Sequence, residues 1–479
     1  MDRPPFPAHS PSAAFGGSAL PGETFVGRKA DVAKIQKVLS GEHRAKGSLS
    51  VMSIEGPGGI GKTALFDHTQ HSTHLAPRRF LTLRVSTREN PHAATPFTFL
   101  DTMISTAKAD AISDKPAGHY FPHAKLALSA VDEVRIQVAS EIEQRFSTDL
   151  ELKAVLMKGA VEMLAHGHSL ADFHAVVTKR PDYQAIEKRL DRSMVDRNLR
   201  AFKSVKFESG WMKRLMPGSA NASLRNSIRE NAIKAVADAL LLDLSRLLSD
   251  KTKKEGVDRL LLVVDDYEFL MKPLGDFFVR FLLPGLRDAE FPTTAFLIGR
   301  DKLTVTHQHW NKELAGVIVD RITLKVFELP EFVELCRMNG VTDAPQRDRI
   351  WQETGGYPYL VRLLLEELAE QKAEGLDGPS ALMLKSFYDR TTRFMSDEQR
   401  GWLEKVLFLD HVDKRTLRAF LSDPGEIDRV QEWFESEPSI RDPNSSLFRV
   451  RDQLRTRLRE YLNCKDPERH DALAAAASK

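Results

Sequence analysis

The stretch Ser48-Leu49-Ser50-Val51-Met52-Ser53-Ile54-Glu55, followed by Gly56-Pro57-Gly58-Gly59-Ile60-Gly61-Lys62-Thr63, decides the fold of this chain. The first half reads as a short buried strand. The second satisfies the pattern G-x-x-x-x-G-K-[ST] in full, and a helix is expected from Lys62 to about His71. The chemistry explains each choice. Glycines put no Cβ in the way, so backbone N–H groups can turn inward and cradle phosphates. The helix start adds its unpaired N–H groups and the positive end of its dipole. Lys62 neutralises charge on β- and γ-phosphates, and Thr63 sets a hydroxyl on Mg²⁺. Pro57, Ile60 and Ala64 complete the loop and the helix start. The plainer reading, a glycine-rich turn followed by a chance Lys-Thr, does not account for the strand before it and the helix after it.

A second strand, Leu260–Val264, ends in Asp265-Asp266. By itself this is a strand end capped by solvated acids. Beside a phosphate loop, Asp265 orients Mg²⁺ and Asp266 polarises the attacking water. Thr294–Ile298 is a third apolar strand, and it ends in Gly299-Arg300-Asp301. A guanidinium at that exit can reach a γ-phosphate and sense its loss; the bland alternative is a surface charge. These three motifs imply a nucleoside triphosphate with Mg²⁺ as ligand. The adjacent His68, His71 and His74 lack the further ligands of a metal set and read as a solvated face.

The fold class expected is α/β: a parallel P-loop sheet with helices on both faces. It takes in residues 23–86 and 257–329, with a strand at Phe80–Val85 and a last strand and connector at Ile318–Leu329. Residues 87–256 show helical apolar periodicity and few strand signals, with a break at Met216–Ser219; they read as a helical insertion. Residues 330–380 read as a small helical lid, 381–465 as a winged-helix-like domain with a strand-like piece at Ser446–Val450, and 466–479 as a tail. Residues 1–22, rich in Pro, Ala, Gly and Ser, read as a disordered leader without a signal-peptide core.

Whole-chain numbers narrow the class. The 479 residues suggest about three domains. With 42% hydrophobic and 28% charged residues the composition is that of a globular protein. A net charge of +2 gives no support for wholesale nucleic-acid binding. Cys336 and Cys464 fit no metal spacing and read as free thiols of a reducing compartment. No stretch reaches the ~18 apolar residues of a membrane span, so the expected location is the cytoplasm.

The order of motifs resembles the STAND branch of AAA+ ATPases, the signal-transducing NTPases that include NB-ARC proteins and archaeal-type ATPases. Phe25-Val26-Gly27-Arg28, ahead of a helix at Asp31–Leu39, is similar to the opening F-V-G-R motif, which in relatives walls the adenine side of the pocket. Leu261–Asp266 resembles the family's hhhhDD strand. Ile298-Gly299-Arg300 resembles the sensor strand, and Gly355-Gly356-Tyr357-Pro358 the G-x-P motif of the lid, whose proline packs near the base. Phe448–Leu454 is similar to the winged-helix M-H-D motif, with Val450 and Arg451 in place of Met and His. The resemblance covers residues 24–86 and 257–460.

It implies ATP and ADP as ligands, ATP hydrolysis, and a switch in which ADP clamps nucleotide domain, lid and winged helix together. ATP would then release an oligomerisation surface. In such a switch the nucleotide must bind the two arrangements unequally, by about 1–3 kcal/mol. Arg451 would touch the ADP β-phosphate electrostatically. The insertion would dock a separate effector protein, as in bacterial antiphage systems, or be a structural elaboration with no partner. The alternative function is a DNA-binding AAA+ ATPase, initiator- or transposition-regulator-like, meeting phosphates with the basic stretch Arg449–Arg459. Interleaved acids, Asp442, Asp452 and Glu460, favour reading that stretch as a solvated face.

Overall fold

The computed structural model describes residues 25–45, 47–72, 80–86, 95–105, 108–109, 120–146, 149–166, 168–187, 189, 195, 218–254, 259–370, 381–392, 395–435, 437, 440–442, 445 and 447–478. The expected leader therefore lies outside the described residues, as do Met216 and Pro217 of the expected break.

The P-loop strand β1 (Leu49–Glu55) follows helix α1 (Lys29–Ser40) and leads into α2 (Lys62–Ser72), then β2 (Phe80–Ser86). The insertion supplies α3 (Pro96–Ser105), β3 (Lys108–Ala109), α4 (Pro122–Arg145), α5 (Leu150–His166), α6 (Phe173–Val177), α7 (Pro181–Glu187) and α8 (Gly218–Lys254). The acid-bearing strand β4 (Arg259–Asp265) precedes α9 (Tyr267–Phe277). A π-helical turn at Phe278–Leu282 carries α9 into α10 (Leu283–Arg287). Then come β5 (Thr293–Gly299), α11 (Leu303–Thr306) and β6 (Ile318–Thr323). The lid is α12 (Leu329–Met338), α13 (Ala344–Thr354) and α14 (Pro358–Glu370). The C-terminal domain is α15 (Ala381–Thr392), α16 (Asp397–Val406), α17 (Lys414–Leu417), α18 (Pro424–Glu435), α19 (Asp452–Lys465) and α20 (Pro467–Ala477).

The strands form one sheet in the order β3-β2-β4-β5-β1-β6. All pairs are parallel except β2 with β3. The α/β class with a parallel P-loop sheet is what the motifs predicted. The register of β1 on β5 sets Glu55 opposite Gly299, and that of β5 on β4 sets Ile298 opposite Asp265. The P-loop, the acid pair and Arg300 therefore all leave the sheet at one edge.

Strand alternation assigns the two faces. Leu49, Val51, Leu81, Leu83, Leu260, Leu262, Val264, Ala295 and Leu297 join one buried cluster with α3, α4, α5, α8 and α9. Met52, Ile54, Leu261, Val263, Phe296, Ile298 and Ile322 join a second with α1, α2, the lid and the C-terminal domain. Three expectations change here. The insertion is not purely helical, because β3 adds an antiparallel edge strand to the sheet. The segment expected to be a tail forms α20, whose Leu473, Ala474 and Ala477 pack on the second cluster, and Arg469 pairs with Glu404 at 2.6 Å. Of the strand-like piece expected at Ser446–Val450, Ser446 lies outside the described residues, and among 447–450 the pairing is one bridge, Arg441 with Val450.

A buried acid ties the insertion together. Asp243 on α8 is 2% exposed. Its Oδ2 accepts from Ala124 N at the start of α4 (2.8 Å), and its Oδ1 accepts from His123 Nδ1 (2.6 Å). His123 Nε2 then accepts from Arg246 Nη1 at 2.8 Å. Because these helices share the sheet's core, Asp243→Ala is expected to lower the stability of the whole nucleotide domain by about 1–3 kcal/mol, seen as a lower urea midpoint without an earlier separate transition for the insertion.

Candidate functional site

The P-loop winds around its own carbonyls. Gly56, Gly59 and Gly61 take φ of 146°, 86° and 94°, which side-chain-bearing residues rarely adopt. Lys62 is buried, and its ammonium donates to Gly56 O (2.8 Å) and Pro57 O (3.1 Å). Burial lowers its pKa to about 8, against the pull of the Glu268 carboxylate. The Thr63 hydroxyl donates to Asp265 Oδ2 at 2.8 Å. Burial raises the Asp265 pKa, the neighbouring Asp266 adds to the rise, and the Thr63 bond opposes it. A hydroxyl beside a buried carboxylate, facing the phosphate loop, is the donor set that suits Mg²⁺. Asp266 caps α9 in the left-handed region (φ 55°), which turns it out of the strand; its N–H donates to Asp265 Oδ1 at 2.9 Å.

Three other parts of the chain converge on this loop. Arg300, at the exit of β5, lies across Gly58: a Cβ there would stand 3.2 Å from Arg300 Nη2. Tyr357 of the lid donates its hydroxyl to Gly58 O. Tyr359 closes over Gly59, where a Cβ would come within 2.9 Å of its own. Arg451 of the C-terminal domain donates Nε to Arg441 O at 2.8 Å and faces Tyr357, Asp301 and Arg300. The structure thus brings Lys62, Thr63, Asp265, Asp266, Arg300 and Arg451 together. Pro358 sits at the first turn of α14, directly after Tyr357.

The Phe25–Arg28 segment reaches the same loop from behind. Arg28 Nη2 donates to Ile60 O (3.0 Å) and Lys325 O (2.9 Å), and Arg28 N to Glu331 Oε1 of the lid (3.0 Å). Gly27 must be glycine, since a Cβ there would collide with the Glu331 side chain at 2.2 Å. Phe25 stacks on His68 at 4.2 Å, and Val26 is buried. Arg28 is therefore a clamp between P-loop and lid as well as a neighbour of the pocket.

Sequence reasoning missed Glu268. It stands on the first turn of α9, three residues after Asp265, and no motif marks that place. Its Oε2 accepts from Arg300 N (2.9 Å), and its Oε1 lies 3.3 Å from Arg300 Nε. Both side chains are only 10% exposed. Burial raises the Glu268 pKa to about 7, against the attraction of Arg300 and Lys62. Gly299 makes the room, because a Cβ on it would sit 2.7 Å from Glu268 Oε2. The expected basic stretch, by contrast, is engaged within the chain. Arg449 pairs with Asp442 and Asp452, Arg455 with Asp410, and Arg457 with Glu460, while Arg459 lies over the Phe408 ring.

No protein-family model and no curated protein matches the chain. Solved structures do. The Aeropyrum pernix ORC1 protein in complex with DNA is 13% identical, over 93% of this chain and 94% of that one, at a TM-score of 0.39. The Aeropyrum pernix ORC2 protein (ADPNP–ADP complexes) is 11% identical, over 92% and 97%, at 0.35. CDC6P from Pyrobaculum aerophilum is 10% identical, over 96% of each chain, at 0.32. At these values the likeness carries nothing about ligand or partner.

Asp301 gives a check on the electrostatics. Burial raises its pKa to about 6, against the attraction of Arg451, and its Oδ1 is buried without a hydrogen-bond partner among the described residues. An acid whose folded pKa exceeds its unfolded one binds protons better when folded, so its contribution falls as pH rises through that window. Asp301→Asn does not titrate. The difference in melting temperature should therefore move in favour of the variant between about pH 4 and pH 6 and stay level above about pH 7, measured by thermal melts in a pH series.

Proposed function

We propose that this chain is an ATPase that binds ATP with Mg²⁺ and hydrolyses it to ADP and phosphate, with the nucleotide deciding whether the lid and C-terminal domain stay on the P-loop. The observation that carries this is the convergence on Gly58: its carbonyl accepts from Tyr357 of the lid while Arg300 lies over its Cα. A ligand that enters the loop must meet every one of these groups.

The roles follow from position. Thr63 and Asp265 would hold Mg²⁺, which when bound screens the phosphate charges. Lys62 exchanges carbonyls of its own loop for β- and γ-phosphate oxygens. Asp266, turned out of the strand end, orients the attacking water and takes up its proton. Phe25, Val26, Arg28 and Pro358 border the base. The choice of ATP over GTP rests on the F-V-G-R and G-x-P resemblance.

Two outputs suit such a cycle. One is the STAND-type switch, slow in hydrolysis, with nucleotide-dependent oligomerisation and a separate effector protein on the insertion, as in bacterial antiphage signalling. Its support is the simultaneous hold on the loop by Arg28 and by Tyr357 of the lid. The other is a DNA-binding AAA+ ATPase of the initiator or transposition-regulator kind, which needs an exposed basic surface. In this chain the outward face of α18 is acidic, with Glu426, Asp428 and Glu432 beside Arg429. Phosphates would therefore be met by Arg415 of α17 and Arg418 just after it, both exposed, while Lys414 pairs with Asp428.

Light scattering after size exclusion separates these outputs. With ATP–Mg²⁺ the switch gives a larger species than with ADP, and Lys62→Ala stays small. A size indifferent to nucleotide, with duplex DNA affinity falling steeply with salt, supports the second output instead. Asp266→Asn should keep nucleotide affinity within about threefold and lose at least about 100-fold in turnover; loss of binding would remove Asp266 from the water-activating role.

A further inference from the structure

We propose that Glu268 is a built-in stand-in for the γ-phosphate: it holds Arg300 until a triphosphate takes the guanidinium, and so sets how strongly the site prefers ATP over ADP. The inference rests on the ATPase reading and deepens it. A γ-phosphate offers anionic oxygens to Lys62 and to the guanidinium at the exit of β5. Glu268 presents two oxygens to that same Arg300, one to its backbone N–H at 2.9 Å and one 3.3 Å from Nε, and its charge acts on Lys62 as well. Both partners are nearly buried, where an ion pair is screened little.

The surrounding sequence is shaped to admit this carboxylate. Gly299 has no Cβ, and one there would stand 2.7 Å from Glu268 Oε2. Asp266, in the left-handed conformation, starts α9 so that its first turn points Glu268 toward β5 while Tyr267 turns into the core. Glu268 Oε1 has no hydrogen-bond partner among the described residues, although it lies beside a guanidinium. A buried acceptor left in that way calls for an explanation, and a guanidinium that leaves for a phosphate supplies one. Asp265, by contrast, is engaged with the Thr63 hydroxyl.

The consequence is competition. ADP can occupy the loop with Arg300 still on Glu268, whereas ATP gains full affinity only by drawing Arg300 away. Removing the charge of Glu268 while keeping its shape should release Arg300 to the γ-phosphate. Titration calorimetry with Mg²⁺ and either ADP or ADPNP, the hydrolysis-resistant analogue of ATP, reads this directly. Glu268→Gln should tighten ADPNP about tenfold, the order of one charge-assisted hydrogen bond, and ADP by no more than about threefold, within the context dependence of such terms. In an Arg300→Ala background the additional gain for ADPNP should vanish. Glu268→Asp, with the charge one methylene further back, should fall between, and it supplies the test if the Gln variant does not fold. An unchanged ADPNP-to-ADP ratio, weaker ADPNP binding, or a gain that survives Arg300→Ala overturns the proposal while leaving the ATPase reading intact. Failure of the wild type to bind either nucleotide overturns both.

Discussion

A parallel strand buried on both faces must be covered twice, and the two covers of this sheet come from different stretches of sequence. Residues between β2 and β4, together with α9, α10 and the segment between β5 and β6, supply one cover; α1, α2, the lid and the C-terminal domain supply the other. This constraint fixes much else. The P-loop strand β1 and the acid strand β4 lie on either side of β5, so the motifs they carry leave the sheet beside Arg300. The lid and C-terminal domain, packed on the second face, have the P-loop at their edge.

At that edge, backbone carbonyls make bonds that a ligand would otherwise displace. Gly56 O and Pro57 O hold Lys62, Gly58 O holds Tyr357, and Ile60 O holds Arg28. Hydrogen bonds to a charged donor in a dry site are worth about 1.5–3 kcal/mol each, so the arrangement without phosphate is itself stabilised. Phosphate must then offer more than these carbonyls do. This is the free-energy condition for a nucleotide to shift the lid: it must bind the two arrangements differently.

Much of this was legible in the sequence. The G-x-x-x-x-G-K-T pattern, Asp265 and Arg300 marked the sheet and three of its strand exits, because each chemical role demands a residue type at a fixed distance from a strand. Glu268 was not legible. Its role depends on α9 beginning in a left-handed Asp266 and on Gly299 lying opposite, and neither condition leaves a pattern around residue 268. The basic stretch Arg449–Arg459 read as a surface for phosphates since spacing cannot reveal Asp410 or the carbonyl of Leu407, which come from elsewhere in the fold. The helix α20 was missed because an alanine-rich run carries little amphipathic signal; Leu473 and the pair Arg469–Glu404 anchor it.

The insertion's place follows from the same geometry. Its helices α4, α5 and α8 do not stand off the sheet; Phe99, Ala127, Leu156 and Leu240 share one cluster with Leu262 and Val264 of β4. The same cluster takes Tyr267, Leu270 and Leu274 of α9, and Trp310 Nε1 donates to Tyr267 OH at 3.0 Å. One turn of α9 therefore carries Glu268 toward Arg300 and Tyr267 into the insertion's core. A core packed to native density does not deform continuously, so a shift of α9 moves both together. α9 thus joins the insertion's core to the acid pair, and Tyr357 joins the lid to the P-loop at Gly58. Both connections end at Arg300, which touches Glu268 on one side and overlies Gly58 on the other.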